Sequence, residues 1–124
     1  MAQHREPLLW IVFTRPVPGR EAEYDKWYDE VHLPDVASVP GIRAAQRFTL
    51  GPERSEQSAE PQFRHLAVYE VDGDPDLVFP EITRRIEAGE MVLSEALDRP
   101  RTWQSVWHPQ GRRLTSGPTS DRTT

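Results

Sequence analysis

The order of strand and helix patterns along this chain limits its fold more than any other feature of the sequence. Residues 8–14 are continuously apolar and rich in β-formers, which predicts a strand covered on both faces. Three further strand patterns occupy residues 42–50, 63–71 and 102–108, and helical patterns occupy residues 20–32 and 75–88. The predicted order is therefore β-α-β-β-α-β.

This order is the split βαβ, or ferredoxin-like, arrangement, an α+β fold whose four-stranded antiparallel sheet carries both helices on one face. The strands have large apolar side chains at both alternating sets of positions, and so on both faces of the sheet. In the first strand, Trp10 and Val12 are predicted to face one side and Ile11 and Phe13 the other. The helix-free face would be too apolar to stay open in an isolated subunit. We therefore predict a homodimer in which two sheets close into one barrel.

Prolines set the predicted limits of the helices. Pro34 is expected to end or kink the first helix and to open a short helical turn through residue 39. Asp74 is predicted to cap the second helix, in which Pro80 predicts a kink or a late start. A short helical piece is also predicted at residues 91–97.

The chain has room for one domain, which we place at residues 8–108. Residues 1–7 and the polar tail 109–124 lack periodicity, and both ends are expected to be disordered. The polar segment 51–62 is expected to form a mobile loop.

Composition excludes several function classes. A formal net charge of -5 argues against nucleic acid and anionic membranes as partners. The chain contains no cysteine, so thiol catalysis and cysteine-based metal sites are excluded. It lacks a long apolar run, a signal pattern and the glycine-rich phosphate-binding motifs. We expect a cytoplasmic protein with no cofactor and no metal site.

The first helix has an aromatic face. Tyr24, Trp27, Tyr28 and Val31 recur at helical spacing, which predicts an apolar stripe facing the core. His32 follows Tyr28 by four residues, so the two side chains are expected to meet at the edge of that stripe. The pattern therefore places an imidazole beside aromatic rings where the helix ends.

The run EYDKWYDEVHLPDVASVPG, which follows a first strand that leads into TRPVPG, resembles the EthD-like branch of the dimeric α/β-barrel superfamily. The resemblance extends over residues 8–108, and its sharpest part is Trp27 with His32, followed by Pro40-Gly41. It implies a homodimer of ferredoxin-like subunits with a pocket between each sheet and its helices. Members of the family include polyketide cyclases, dehydratases, decarboxylases and isomerases of aromatic catabolism, and the wider superfamily includes metal-free monooxygenases.

Three residues are candidates for catalysis. His32 is the first, because the unperturbed pKa of imidazole lies near neutrality and the family resemblance implies that this histidine faces the pocket. The alternative is that His32 packs as a boundary residue or interacts with the helix C-terminus. Tyr28 is a candidate hydrogen-bond donor to an enolate, or a core aromatic. His65 is a second titratable candidate on the third strand, predicted to share a face with Phe63, or an edge residue near the loop.

Further residues are candidates for substrate binding through aromatic or guanidinium groups. For each of them, packing in the core or barrel, or a surface or dimer-interface charge, is the alternative role. Arg43 and Arg47 are predicted to share one face of the second strand. The candidates are Tyr24, Trp27, Tyr69, Arg43, Arg47 and Trp103.

The sequence and the resemblance together predict a cofactor-independent enzyme acting on a hydrophobic aromatic or polyketide-type molecule. One histidine and one or two tyrosines suit cyclisation, dehydration or decarboxylation through an enolate. Two alternatives stay open. One is a metal-free monooxygenase of the same superfamily, and the other is a non-catalytic dimeric ligand-binding protein.

Overall fold

A computed structural model describes residues 6–52 and 61–117. The protein is α+β, and its four strands form one antiparallel sheet in the order β2-β3-β1-β4. The α+β class and the four-stranded antiparallel sheet are thus confirmed. The elements in chain order are β1 (Leu8–Thr14), α1 (Glu21–Trp27), a π-helical turn (Tyr28–His32), α2 (Leu33–Ala37), β2 (Ile42–Thr49), β3 (His65–Val71), α3 (Pro75–Glu87), a 3-10 turn (Arg99–Arg101) and β4 (Trp103–Trp107).

The core lies between one face of this sheet and the helices. Trp10, on β1, pairs with Tyr69, on β3, and both are buried. The Trp10 ring also contacts Phe79 of α3 at 5.0 Å between ring centroids. Tyr24 and Tyr28 belong to the same buried cluster. We call this side of the sheet the inner face.

The opposite side, the outer face, carries aromatic rings that no helix of the described chain covers. Phe13 contacts Phe63 at 5.6 Å and Trp103 at 5.2 Å between ring centroids. Trp103 is 52% exposed and Trp107 is 54% exposed. An apolar surface of this kind is typical of a site that another surface covers.

The first helical segment continues past Pro34 because one turn widens. The backbone N–H of Leu33 donates to the carbonyl oxygen of Tyr28, five residues earlier, which is the hydrogen bond of a π turn. Pro34 has no N–H and cannot donate to the carbonyl four residues before it. The wider turn precedes the proline, and helix α2 then runs to Ala37. Pro34 therefore does not end the helical path at residue 32, and the predicted short helical turn after it is present as α2, with the proline in its first turn.

The π turn also changes which side chains face the core. Val31 was predicted to belong to the buried stripe, but it is 40% exposed. His32 turns inward instead and stacks on Trp27, five residues earlier. An extra residue in the turn rotates the following side chains relative to a regular α-helix. The prediction for Val31 was wrong for this reason.

Strand β2 contains a second irregularity that a regular alternation does not anticipate. Ile42 pairs with Val71, whereas Ala44 already pairs with Glu70, so the register shifts between these residues. Such a β-bulge gives one strand an extra residue. Arg43 consequently reaches Glu70, and the prediction that it shares a face with Arg47 is wrong.

Three other sequence predictions need correction or restriction. Helix α3 begins at Pro75, where Asp74 accepts the N–H of Asp76 at 2.9 Å, so no late start at Pro80 occurs. Residues 91–97 are not helical. The end of this segment instead takes part in backbone pairing between residues 96–98, which include Leu97, and residues 15–17, which include Val17. Phe63 precedes β3 and contacts Phe13 on the outer face, so it does not share the face of His65.

The predicted disordered ends and mobile loop fall partly outside the described chain. Residues 1–5, 53–60 and 118–124 lie outside it, and residues 109–117 contain neither helix nor strand. Within the described ranges, no helix combines the length and the apolar character needed to cross a membrane.

Candidate functional site

A cavity of about 420 Å³ lies between the inner face of the sheet and the helices. Its volume is within the range usual for small-molecule sites. Apolar side chains from β1, α2, α3 and the segment after α3 form most of the wall. They are Trp10, Val12, Val36, Phe79, Ile82, Ile86, Leu93 and Leu97.

His32 lines this cavity, held there by the π turn. Its ring stacks on Trp27 with 4.6 Å between centroids and meets Tyr28 edge to face at 5.2 Å. The contact with Tyr28 was predicted, and it is confirmed. The Nδ1 atom of His32 is buried and has no hydrogen-bond partner among the described residues. Burial lowers the pKa of His32 to about 4, so the imidazole is neutral at pH 7.

Two tyrosine hydroxyl groups accompany His32 in the cavity. The Tyr69 hydroxyl is buried and makes a weak hydrogen-bonding contact with the side chain of Tyr28, and within the described chain it has no hydrogen bond of good geometry. Tyr28 lines the same cavity, and the two phenols are close enough that each affects the pKa of the other. Burial raises the pKa of both, so both keep their protons at neutral pH and can donate them in hydrogen bonds.

Tyr24 lies behind the cavity wall. Its hydroxyl group forms a buried hydrogen bond with the hydroxyl group of Thr14, which lines the cavity. Burial raises the pKa of Tyr24 to about 12. Because its polar atom already has a partner, Tyr24 supports the site without reaching into it.

Arg47 forms a separate ionic cluster on the side of Tyr28 away from the cavity. Its guanidinium group donates to Asp29 at 2.8 Å and to Asp25 at 3.0 Å. The same group lies over the Tyr28 ring at 4.7 Å and the Tyr24 ring at 5.4 Å. Burial opposes the charge of Arg47, but these carboxylates outweigh it and raise its pKa. Arg47 is thus satisfied by its own chain and does not line the cavity.

His65 lies near this ionic cluster. Its ring contacts Tyr24 at 5.3 Å between centroids, and it does not line the cavity that contains His32. Its Nδ1 atom is buried without a partner among the described residues, and burial together with the nearby Arg47 lowers its pKa. The structure therefore brings His32, Tyr28 and Tyr69 together but leaves His65 apart from them.

The other predicted binding residues have different positions. Trp27 lines the cavity and is anchored by a 3.0 Å hydrogen bond from its indole Nε1 to the carbonyl oxygen of Val92. Arg43 is exposed and paired with Glu70. Trp103 contacts Phe13 on the outer face. Arg43 and Trp103 therefore lie outside the cavity.

Sequence reasoning missed a group of polar residues at the β4 side of the cavity. Gln104, Thr102 and Arg99 all line it. A signal was present for Gln104, because it alternates with Trp103 and Ser105 and so must face the side opposite to them. Arg99 carried no comparable signal, since a 3-10 turn gives its position no regular periodicity.

The arrangement combines an apolar cavity, a neutral imidazole and phenolic donors, which suits proton transfer to and from carbon. No cluster of three or more metal-binding side chains occurs in the part of the chain that the structure describes. The chain matches no family model, no curated protein and no solved structure. Its own geometry is therefore the basis for assigning a function.

Proposed function

We propose that this protein is a cofactor-independent acid-base catalyst acting on a hydrophobic aromatic or polyketide-type molecule. The observation that carries the proposal is that His32, Tyr28 and Tyr69 line one cavity and that the imidazole of His32 is neutral at pH 7. A ligand with an acidic C–H next to a carbonyl group would offer a proton to the imidazole and an acceptor to the phenols.

In the proposed reaction, His32 removes a proton from the carbon next to the carbonyl group. The neutral imidazole required for this step is present because the pKa of His32 is lowered to about 4. A low pKa makes a weak base in isolation. However, the negative charge forming on the substrate stabilises the imidazolium ion and so raises this pKa during the step.

The carbonyl oxygen gains the negative charge as the C–H bond breaks. Tyr69 and Tyr28 can each donate an O–H to that oxygen, which stabilises the enolate in a water-poor environment. From the enolate, return of the proton from the His32 imidazolium to carbon gives exchange. If the imidazolium instead gives this proton to a departing β-hydroxyl group, water leaves and the substrate is dehydrated. Attack of the enolate carbon on a second carbonyl group, whose oxygen takes the proton, gives cyclisation.

We also propose membership of the EthD-like branch, ferredoxin-like topology and a homodimer. The strand order β2-β3-β1-β4, with the helices on the inner face, supports this topology. The exposed rings of Trp103 and Trp107 on the outer face support a second copy as its cover. Sedimentation equilibrium tests this directly, since a stable monomer at micromolar concentration would leave these rings in water.

The catalytic proposal is tested by hydrogen–deuterium exchange at the acidic carbon of 2-tetralone, followed by NMR in D₂O. The wild-type protein should accelerate exchange over buffer. The His32→Asn variant should lose about a hundredfold or more of that acceleration, because its amide is not a base. Tyr69→Phe should lose a smaller factor, since Tyr28 remains as a donor.

His65→Asn is the matched control, because His65 also has a lowered pKa but lies outside the cavity. Its exchange rate should equal that of the wild type. Calorimetry with the same ketone separates catalysis from binding. A wild-type protein that binds 2-tetralone but exchanges it no faster than buffer would be a ligand-binding protein, and the catalytic proposal would fail.

A further inference from the structure

Arg99 is a cation at the edge of the cavity that the ionic network of this chain does not use. The exposed Arg99 lines the cavity, and within the described residues it forms no ion pair. Arg101 pairs with Asp98 at 3.2 Å and Arg20 pairs with Glu23 at 2.9 Å, and of the described arginines only Arg99 lines this cavity. In a chain with a net charge of -5, a guanidinium group left unpaired beside a cavity is noteworthy.

Gln104 supplies hydrogen-bond donors at the same place. Its Oε1 atom accepts the indole N–H of Trp10 at 3.0 Å, which orients the amide. The amide nitrogen consequently keeps its N–H groups for another acceptor. Thr102 binds the carbonyl oxygen of Arg99 at 3.3 Å and so ties the 3-10 turn to the start of β4. Arg99 and Gln104 thus present donors only, as an anion requires.

The strand that carries Gln104 lies two strands away from the strand that carries Tyr69. Gln104 on β4 is opposite Val12 of β1, and Tyr69 on β3 is opposite Trp10 of β1. Two strand spacings, about 10 Å, therefore separate the strand of Tyr69 from that of Gln104. The cavity wall between them is apolar, formed by Trp10 and Val12. A fused aromatic ring system matches this span.

We propose that the ligand is a ring-containing carboxylate whose acid group binds Arg99 and Gln104. The planar guanidinium group matches the two oxygens of a carboxylate, and the amide of Gln104 adds a third donor. The ring would then lie on Trp10 and Val12. The inference rests on the proposed function only in one respect, namely which end of the ligand reacts. Binding of the carboxylate by Arg99 and Gln104 does not depend on proton transfer by His32.

The test uses calorimetric titration with 2-naphthoate and 2-naphthamide, which share a ring system and differ in charge. The wild-type protein should bind 2-naphthoate roughly tenfold or more tightly than 2-naphthamide. In Arg99→Gln this preference should disappear through weaker binding of the acid, with the affinity for the amide changed by less than about twofold.

Arg101→Gln is the matched control, because Arg101 is an exposed neighbour that does not line this cavity. It should keep the preference for the acid. His32→Asn should keep it as well, so a catalytic failure and a failure of the carboxylate site give different results. Equal wild-type affinity for both probes, equal weakening of both in Arg99→Gln, or no binding of either probe would each overturn the proposal.

Discussion

Tyr28 lies between two groups of polar side chains that differ in how far their hydrogen-bonding capacity is used. On one side Arg47 is paired with Asp25 and Asp29 and lies over the Tyr28 ring. On the other side His32 meets the edge of the same ring with a buried nitrogen that has no partner among the described residues. Asp25, Asp29 and His32 lie on the same helical stretch, whereas Arg47 reaches it from β2.

The difference indicates what each group contributes. A charged group that is already paired with carboxylates of its own chain stabilises the fold and does not line the cavity that a ligand would enter. A buried polar atom without a partner costs stability, typically about 1–3 kcal/mol, and is retained where another molecule can supply the partner. Arg47 therefore belongs to the structure, and His32, which unlike His65 also lines the cavity, belongs to the site. Three measurements of stability test this distinction.

The largest expected effect is on the pH dependence of folding. The pKa of His32 is about 4 in the folded state and near 6.5 when unfolded, so between these values the unfolded chain binds the proton more readily. Lowering the pH from 6.5 to 4 should therefore reduce the free energy of unfolding, by about 3 kcal/mol from this group. Urea denaturation across this range measures it.

His32→Phe should make that pH dependence shallower. His65→Phe serves as the comparison, because burial also lowers the pKa of His65 and its contribution must be separated. A pH dependence unchanged in His32→Phe would mean that the folded protein protonates His32 normally, and the contrast with the Arg47 cluster would be lost.

The next effect concerns the ionic cluster. Arg47→Met should lower the free energy of unfolding by about 2 kcal/mol, because two ion pairs and two contacts with tyrosine rings are removed from a side chain that is 15% exposed. Arg43→Met is the matched control, since Arg43 is 51% exposed and has one partner, so its cost should stay below about 1 kcal/mol. An equal loss of unfolding free energy in the two variants would show that the burial of Arg47 does not strengthen its interactions.

The smallest effect is expected for Tyr69. Tyr69→Phe removes both the burial cost of the hydroxyl group and its weak contact with Tyr28; these effects oppose each other, so the free energy of unfolding should change by less than about 1 kcal/mol. Tyr24→Phe breaks the hydrogen bond with Thr14 and should cost more, about 1–2 kcal/mol. If Tyr69→Phe proved the more destabilising, its hydroxyl group would be structural.

The regular part of the fold could be predicted from the sequence. Periodicity depends on which side chains are apolar, and it predicted strands β1–β4 and helix α3 to within two residues at each end. The capping role of Asp74 was predicted as well, because it depends only on local chemistry.

The irregular parts could not be predicted in this way. A π turn and a β-bulge each add one residue to a regular pattern, and every side chain beyond that residue changes its direction. Val31 was therefore assigned to the core, and Arg43 was assigned to the face of Arg47. The helix predicted at residues 91–97 was wrong for another reason, because the backbone at the end of this segment pairs with a segment distant in sequence.

The candidate site was predicted in its local part only. His32 and Tyr28 are close in sequence, so their contact followed from helical geometry. Arg99 and Gln104 come from the other end of the chain, and their position depends on the pairing of β4 with β1. No spacing rule connects residues that far apart.

The π turn at Tyr28–His32 also has a consequence for how such chains are compared. In a regular α-helix, side chains five residues apart point in different directions, so a Trp and a His at that spacing are not expected to contact each other. Here the same spacing gives a stacked pair. A homologue that lacked one residue at this point would have the Trp and the His four residues apart, a spacing that places them on one face of a regular α-helix. The stacked pair should therefore be recognised by the contact and not by one fixed spacing.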